Sequence, residues 1–398
     1  MISKEPYTKS ERHAVFSLAS LYVFRMLGLF MVLPLLSVYA SDLPGATPQL
    51  LGIALGAYGL TQALLQLPLG WLSDRIGRRP VVLGGLVMFI TGSVVAAIAD
   101  DIDDIIIGRF LQGCGAIAAA LTAMAADYTR DSQRTKTMAI IGASVGLSFI
   151  IALVIGPALA AVGGLSLVFS VTAGLGVVGL LIVGFVLPDH SPHQGSPERG
   201  EFEVETIFGG GLPALYLSIF LLHALLMAAF LVVPTLLADE VGLPANQHWA
   251  FYFGAVILSL PPALMMMRRG RADGDPRGVV ALAISSMVGG ALVALNAPTL
   301  LLMGVGMLLL FVGVNALEAI LPALLTRLAP SQSRGAAAGI FSTSQFLGIF
   351  VGGVLGGYVM GVGGANAVSY AVFIVLVIWL PVVFKLRLAV SSVAIGDE

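Results

Sequence analysis

The chain has 398 residues, of which 58% are hydrophobic and 11% charged, with a formal net charge of −2 and a mean hydropathy of +0.98. A soluble domain of this length would have too little polar surface to cover itself, so the composition excludes a soluble globular protein. The nearly balanced charge favours neither nucleic acid nor an acidic substrate as a partner. The single cysteine, Cys114, excludes a disulfide framework.

The apolar segments predict an all-α integral membrane protein. A helix needs about 20 mostly apolar residues to cross a bilayer, and twelve segments meet this length. These predicted spans, numbered one to twelve, lie at residues 14–41, 49–73, 80–100, 104–128, 137–162, 165–187, 213–238, 247–268, 278–297, 299–328, 334–361 and 365–388. Helices are expected because lipid cannot satisfy an open backbone. The sequence also lacks the alternating pattern of membrane barrel strands.

The basic residues indicate how the spans are oriented. Eighteen of the 20 Lys and Arg residues fall at the chain ends or in the even-numbered connections. The odd-numbered connections contain none and carry acids instead, as in the run DDIDD at residues 100–104. Because short loops rich in Lys and Arg stay in the cytoplasm, we expect both termini to be cytoplasmic.

The chain is predicted to consist of two repeated halves. Residues 188–212 form the longest polar stretch and are predicted to be a cytoplasmic linker between residues 1–187 and residues 213–398. Three short matches relate the halves at offsets of 196 to 198: Thr129-Arg130 with Thr326-Arg327, Arg79-Pro-Val-Val with Arg277-Gly-Val-Val, and Gly156-Pro-Ala-Leu with Gly352-Gly-Val-Leu. Six-span repeats around a central substrate site are typical of one large class of secondary transporters.

The connection between spans two and three concentrates charge in the sequence GWLSDRIGRRP, residues 70–80. It resembles the signature loop G-x-L-x-D-R-x-G-R-R of the major facilitator superfamily at every specified position. The resemblance implies a conformational latch, in which Asp74 docks at a helix end in the other half and Arg78 pairs with Asp127 at the end of span four. A carboxylate at a helix N-terminus and an Arg–carboxylate pair are both favourable. The alternative is a cytoplasmic anchor with no moving role. The predicted latch residues are Gly70, Asp74, Arg75, Gly77, Arg78, Arg79 and Asp127.

Two further motifs support this resemblance. The sequence RFLQGCG at residues 109–115 is similar to the family's span-four pattern R-x-x-x-G-x-G. Span five resembles the family's antiporter motif, which is associated with proton-linked exporters, but it has Ala160-Ala161 where the motif ends in two glycines. Packing of helices in lipid also favours small residues and is a compatible explanation. The predicted antiporter-motif residues are Gly142, Gly146, Gly156 and Pro157.

Four ionisable side chains lie inside spans and away from helix ends: Arg25, Arg109, His223 and Glu318, on spans one, four, seven and ten. Such groups are costly in a membrane and usually face a cavity or a partner. In the resembled family these four helices line the central cavity. Glu318 is the leading candidate for carrying a proton, because low-dielectric surroundings let a carboxylate bind a proton near neutral pH. A structural hydrogen bond to Asn315, one turn away, is the alternative.

The other three groups have two interpretations each. Histidine side chains change charge near neutral pH, so His223 is either a second proton-coupling residue or a packing residue. Arg25 stays charged and would hold an anionic group or tune an acid, unless it extends to the membrane interface. Arg109 matches the family's span-four arginine, which is often linked to proton movement, unless it pairs with the acids at residues 100–104. The predicted cavity-lining residues are Arg25, Arg109, Gln62, Gln66, Asn315 and Gln345. Hydrogen bonding between helices is the alternative role for the three glutamines.

The predicted function is a proton-coupled secondary transporter, an antiporter that exports small amphipathic compounds by alternating access. A facilitator or proton symporter for a polar metabolite or organic anion is the alternative, and a sensor without transport is a third hypothesis. The last predicted span ends at residue 388 of 398, so we expect no appended soluble domain that could serve as a sensor's output.

The sequence contains no metal-ligand cluster, no nucleophile–base arrangement and no phosphate-binding loop. We therefore expect no enzyme activity, no catalytic residue, no metal and no cofactor. The expected partners are a small-molecule substrate, protons and the lipid bilayer, without nucleic acid. The family resemblance implies a multi-pass protein of the bacterial inner membrane, which we expect to act as a monomer.

Overall fold

The computed structural model describes residues 6–187, 204–272, 276–330 and 333–395, and all regular secondary structure in these ranges is helical. A short π-helical segment, Ile182–Val186, follows α7. A short 3₁₀ segment, Ala245–Gln247, precedes α10. The α-helices are α1 (Lys9–Val32), α2 (Leu36–Tyr39), α3 (Pro48–Ile76), α4 (Arg78–Ala97), α5 (Ile102–Cys114), α6 (Ala118–Asp127), α7 (Asp131–Leu181), α8 (Val204–Phe208), α9 (Leu212–Asp239), α10 (His248–Ala272), α11 (Arg277–Leu295), α12 (Leu300–Leu328) and α13 (Arg334–Ile395).

Ten helical segments in the described ranges are long and apolar enough to cross a membrane. Two of them, Asp131–Val186 and Arg334–Val383, have 56 and 50 residues, which is enough for two spans each. Both bend at a glycine with left-handed backbone, Gly164 at φ +63° and Gly364 at φ +65°, a conformation that residues with a Cβ rarely adopt. The bends divide these segments where the sequence predicted loops. The prediction of an all-α membrane fold with twelve spans is confirmed.

Span four is not the continuous helix that the sequence predicted over residues 104–128. Helix α5 ends at Cys114 and α6 begins at Ala118, and the backbone between them leaves the α-helical hydrogen-bond pattern. The amide of Gly115 donates to the carbonyl of Gln112 at 3.2 Å, and the amide of Ile117 donates to the carbonyl of Gly115 at 2.8 Å. Such a break frees backbone groups in the middle of a span, and side chains from other helices must satisfy them.

The described residues form two compact units. The first contains residues 6–46 and 57–187, and the second contains residues 47–56 and those from 204 onward. Residues 188–203 of the predicted linker lie outside the described residues, and its later part includes the short helix α8. The predicted boundaries of the two halves stay a prediction.

The two units pack their helices through equivalent glycine contacts. In the first unit α1 packs on α7, where Gly156 meets the backbone of Met31. In the second unit α9 packs on α13, where Gly352 meets the backbone of Ala224. Small residues let helices in a membrane approach closely, so these glycines set the spacing of the helices. A second equivalent set joins α4 to α5 and α11 to α12, through Gly92 with Gly108 and Gly290 with Gly306.

Candidate functional site

The interior of the first unit contains a buried guanidinium group at the break in span four. Arg25 lies on α1 and is 2% exposed. Its Nη2 donates to the carbonyl oxygen of Gly115 at 3.0 Å and to the hydroxyl of Tyr58 at 3.1 Å. Its Nε and Nη1 are buried and have no acceptor among the described residues. Arg25 therefore satisfies a carbonyl that the break frees, while part of its own hydrogen-bonding capacity is unused by the protein.

A second buried guanidinium group approaches the same tyrosine. The Cζ of Arg109 lies 5.2 Å from the centroid of the Tyr58 ring, within the range of a cation–π interaction. The Nη1 of Arg109 donates to Oε1 of Gln112 at 3.0 Å, and Nε2 of Gln112 donates to the hydroxyl of Ser93 on α4 at 2.8 Å. Tyr58 thus contacts two positive charges, one through its hydroxyl and one through its ring.

Polar side chains continue from Tyr58 along α3. Tyr58, Gln62 and Gln66 follow one another at intervals of four residues, so they lie on one face of the helix. All three are buried. Both polar side-chain atoms of Gln62 and the Oε1 of Gln66 have no hydrogen-bond partner among the described residues. The sequence analysis selected both glutamines and missed Tyr58, although the same spacing would have identified it.

The interior of the second unit contains an ionisable pair. The Nε2 of His223, on α9, lies 3.1 Å from Oε1 of Glu318 on α12. The Nε2 of Gln345, on α13, lies 2.9 Å from the same His223 nitrogen. The other ring nitrogen of His223, Nδ1, lies 3.1 Å from the carbonyl oxygen of Ile219, one turn earlier on α9. His223 therefore joins three helices of this unit.

The alternative partner for Glu318 that the sequence analysis considered is wrong. Asn315 does not bond to Glu318; its Nδ2 donates to the hydroxyl of Ser259 on α10 at 2.9 Å. The carboxylate of Glu318 instead points to α9, where it meets His223. Asn315 links α12 to α10 in the same unit.

The loop between α3 and α4 contains the predicted latch residues. The Nη1 of Arg78 contacts the carboxylate of Asp74 and donates to the hydroxyl of Ser73 at 3.0 Å, and its Nε lies 3.4 Å from Oδ2 of Asp127. Gly77 separates the two helices with φ +99°, which requires glycine. All three charged groups are partly exposed, so each pair alone adds at most about 1 kcal/mol.

The remaining latch residues fix the loop to its surroundings. Arg75 stacks on the ring of Trp71, with its Cζ 3.7 Å from the ring centroid. The Nη2 of Arg79 donates to the carbonyl of Gly184 at 2.6 Å, which joins the start of α4 to the end of span six. Gly70 lies against α6, where an added Cβ would be 3.3 Å from the Cβ of Ala119.

The predicted antiporter-motif residues lie on α7 in two different environments. Gly156 and Pro157 are buried, and Gly156 packs against the backbone of Met31. Gly142 and Gly146 are exposed, and a Cβ at either position would meet no atom within 4 Å. Close packing therefore explains Gly156 and leaves the first two glycines without a packing role.

An ion pair that was not predicted from the sequence lies at the start of α1. Arg130 donates from Nε to Oε1 of Glu11 at 2.9 Å, from Nη2 to Oε2 at 3.0 Å, and from its backbone amide to Oε1 at 3.0 Å. Glu11 also forms a capping box with Thr8. The spacing Thr-x-x-Glu is the sequence signature of that cap, so the helix start, though not the pair, was open to prediction.

The chemistry of the two interiors is distinct. Guanidinium groups and amides can hold a negatively charged or polar molecule, whereas an imidazole next to a carboxylate can take up and release a proton. No group of three or more His, Cys, Asp or Glu side chains that could hold a metal ion occurs within the described ranges.

Comparison with known proteins identifies the family. Residues 18–319 match the Major Facilitator Superfamily. The chain is 40% identical over 385 residues to the inner membrane transport protein YajR of Escherichia coli (strain K12), covering 96% of this chain and 84% of YajR. It is 31% identical over 303 residues to the multidrug resistance protein MdtL of Klebsiella pneumoniae (strain 342), covering 71% of this chain and 73% of MdtL.

The solved structures agree on the fold. A bacterial homolog of the human lysosomal transporter Spinster superposes with a TM-score of 0.74 at 12% identity, covering 97% of this chain and 96% of the homolog. The family and these relatives are transporters and not enzymes. The chain is therefore a multi-pass inner-membrane protein that belongs to the major facilitator superfamily of transporters, whose members bind small-molecule substrates.

Proposed function

We propose that this transporter is a proton antiporter that exports small amphipathic compounds by alternating access, as a monomer with both termini in the cytoplasm. The observation that carries the proposal is the pair of His223 and Glu318, whose side chains lie 3.1 Å apart inside the second unit. Ionisable groups inside membrane spans are costly, and in transporters they commonly form proton relays.

The hydrogen bonds of His223 suggest how the pair holds a proton. A carbonyl only accepts, so Nδ1 of His223 donates to Ile219 in either charge state. The neutral ring then accepts at Nε2 from the amide of Gln345, and the protonated ring donates from Nε2 to Glu318. When His223 takes up a proton, its Nε2 therefore exchanges Gln345 on α13 for Glu318 on α12 as its hydrogen-bond partner. Glu318 is the only ionisable side chain paired with His223 among the described residues.

The exposure of the two side chains differs in a way that suits proton transfer. The side chain of His223 is 8% exposed and that of Glu318 is 39% exposed. Glu318 can therefore exchange protons with water, while the buried His223 turns the change of charge into a change of hydrogen-bond partner. This arrangement links proton binding to the packing of three helices in one unit.

Export rather than import is supported by two observations. The motif on α7 resembles that of proton-linked exporters, and Gly142 and Gly146 of that motif have no packing role that would explain them. A relative that is 31% identical is a multidrug resistance protein. The latch proposed for Asp74, Arg78 and Asp127 fits a conformational cycle, because its partly exposed ion pairs cost little to break.

Proton flux in vesicles tests this proposal. The purified protein is placed in vesicles with a pH-sensitive dye inside, and an imposed pH gradient is challenged with ethidium, naphthalenesulfonamide and naphthalenesulfonate, which are cationic, neutral and anionic. We expect at least one probe to dissipate the gradient, and Glu318→Gln to abolish this effect. Glu240→Gln, which changes an exposed acid at the end of α9, is the matched control and should behave as the unmodified protein.

Either of two results would contradict the proposal. Vesicles in which no probe moves protons faster than in protein-free vesicles would argue against proton coupling. Normal probe-dependent flux in Glu318→Gln would remove that residue from the proton path.

A further inference from the structure

We propose that the break in span four is an anion-binding site, and that the substrates of this transporter carry a sulfonate or carboxylate group that binds between Arg25 and the first turn of α6. The inference rests on the proposed transport function only in treating the bound anion as a substrate. It narrows the substrate class to amphipathic anions.

Arg25 carries a buried positive charge. It donates hydrogen bonds to a hydroxyl and a carbonyl, and no carboxylate lies within ion-pair distance of it among the described residues. A buried cation without a counter-charge is strongly unfavourable, because the protein interior does not replace the water that it loses. An exchangeable anion would provide the missing counter-charge.

Arg25 also has hydrogen-bond donors that no described residue uses. The contacts with Tyr58 and Gly115 both use Nη2, while the Nε and Nη1 groups are buried without acceptors. These two groups carry three of the five N–H donors of a guanidinium. The oxygen atoms of a sulfonate or carboxylate can accept hydrogen bonds from these unused donors, and such charge-assisted bonds are about twice as strong as neutral ones.

The N-terminus of α6 follows directly after the break. The first amides of α6 have no acceptor within the helix, and the dipole of its ten residues gives this end a partial positive charge. Arg25 reaches Gly115, three residues before α6 begins. Tyr22, one turn earlier on α1, donates to the carbonyl of Ala118 at 3.1 Å and so fixes α1 against this first turn. The guanidinium group therefore contacts the segment that leads into a positive helix end, and an anion bound there would be favoured by both positive charges.

The neighbouring groups suit an anion and disfavour a cation. Arg109 contacts the ring of the same Tyr58, so a second positive charge lies close to the break. Gln62, one turn along α3 from Tyr58, is fully buried and its amide nitrogen has no partner in the described part of the chain, which leaves it available as a further donor. A lipophilic cation at this site would meet two guanidinium groups without a carboxylate on Arg25 to offset them.

The depth of the site favours an anion from solution over a lipid headgroup. Arg25 lies about 24 Å along α1 from Lys9 and about 10 Å from its other end at 1.5 Å per residue. This position is within the hydrocarbon region, whereas lipid headgroups lie outside it.

Thermal unfolding of the purified full-length protein in a neutral detergent tests the inference. The probes are naphthalenesulfonate and naphthalenesulfonamide, which have nearly the same shape and differ in charge. We expect the sulfonate to raise the unfolding midpoint and the sulfonamide to have little effect. In Arg25→Gln the effect of the sulfonate should disappear, and the ligand-free variant should be at least as stable as the unmodified protein, because an uncompensated charge is removed.

Two further variants sharpen the result. Arg134→Gln, which changes an arginine of α7 that pairs with Asp131 on the surface, is the control and should keep the full response to the sulfonate. Arg25→Lys keeps the charge and loses the planar group, so it should bind the sulfonate about tenfold more weakly. Because the lysine substitution preserves the buried charge, this variant also covers the case in which Arg25→Gln does not fold.

The following results would overturn the inference. Equal stabilisation by the sulfonate and the sulfonamide in the unmodified protein would do so without any variant. A full response to the sulfonate in Arg25→Gln would do so as well. Stabilisation that depends on Arg25 but is produced by phosphatidylglycerol and not by the sulfonate would assign the group to a lipid.

This measurement separates the inference from the proposed function. Sulfonate that binds through Arg25 but moves no protons in vesicles would contradict the antiport proposal alone. Proton-coupled movement of ethidium together with no binding of the sulfonate would contradict the anion site alone.

Discussion

In the first unit the polar interior consists of Arg25, Arg109 and Gln62, side chains whose charge does not change at physiological pH. In the second unit it includes His223 and Glu318, which lie 3.1 Å apart and which we propose as the proton-binding pair. Both interiors are held by helices that pack through equivalent glycines. The comparison teaches that a repeated scaffold can carry two different sets of side chains, buried guanidinium groups in one unit and a histidine–carboxylate pair in the other.

Substitutions at the glycines where helices pack closely should have the largest effect on stability, and a similar effect in both units. Gly92→Leu would push a side chain into the backbone of α5, and Gly290→Leu would do the same against α12. Each change should cost about 3 kcal/mol or more, because neither helix can move without disturbing its other contacts. The measurement is the yield of monodisperse protein after detergent extraction.

The control for this prediction is the neighbouring glycine Gly289, where an added Cβ meets no atom within 4 Å. Gly289→Leu should be extracted as well as the unmodified protein. If Gly92→Leu and Gly290→Leu were extracted normally, close glycine packing would not be what defines the two units.

Arg109→Gln should weaken anion binding in the first unit and leave proton binding in the second unit unchanged. Loss of this charge beside Tyr58 should reduce the affinity for naphthalenesulfonate by about tenfold, the value of one charge-assisted contact. Binding is measured at about pH 6 and about pH 8, on either side of the ordinary range of histidine.

The ratio of the naphthalenesulfonate affinities at the two pH values shows which unit a substitution affects. It should be the same in Arg109→Gln as in the unmodified protein, whereas His223→Asn should make binding independent of pH. A flattened pH dependence in Arg109→Gln would locate proton binding in the first unit and contradict the comparison.

Gln345→Leu should shift the pH at which the second unit binds its proton, without abolishing proton flux. The amide of Gln345 stabilises the neutral form of His223, so its removal favours the protonated ring. The pH midpoint of probe-dependent proton flux should rise by about 0.5 to 1 unit, which corresponds to the loss of one ordinary hydrogen bond. Gln62→Leu, the matched change in the first unit, should leave the midpoint where it is. A shift to lower pH in Gln345→Leu would mean that the amide stabilises the charged ring.

Tyr58→Phe should have the smallest effect. It keeps the ring that Arg109 contacts and removes the hydroxyl that accepts a hydrogen bond from Arg25. Affinity for naphthalenesulfonate should fall about threefold to tenfold in a fluorescence titration. Tyr252→Phe, which removes a buried hydroxyl without a partner in the second unit, should change nothing. A larger effect of Tyr252→Phe would reverse the assignment of the units.

The spans, their number and the bends between paired spans could be predicted from the sequence, because apolar length and glycine pairs are local properties. The glycines at 163–164 and 363–364 fell between predicted spans, and the structure bends each long helix there. The break at Gly115–Ile117 was not predicted, since the segment is apolar and gives no local signal. The carbonyl of Gly115 at this break accepts a hydrogen bond from Arg25, which is distant in sequence.

The sequence could predict which residues belong to the candidate site, but it could not predict which side chains they contact. Lone polar residues in apolar spans stand out, and this singled out Arg25, His223 and Glu318. Their partners depend on how helices far apart in the chain pack. Glu318 therefore pairs with His223 on α9 and not with Asn315, its neighbour on α12. Tyrosine is common in membrane proteins and does not signal a site by itself, so only the position of Tyr58 one turn before Gln62 marks it in the sequence.

The most direct test of the central claim compares Glu318→Gln with Arg25→Gln in one vesicle experiment that records two quantities. The first is exchange of radiolabelled naphthalenesulfonate across the membrane, and the second is proton movement. The account predicts that Glu318→Gln still exchanges the sulfonate but moves no protons, and that Arg25→Gln does neither. Proton movement that survives in Glu318→Gln, or sulfonate exchange that survives in Arg25→Gln, would contradict the division of fixed and variable charge between the two units.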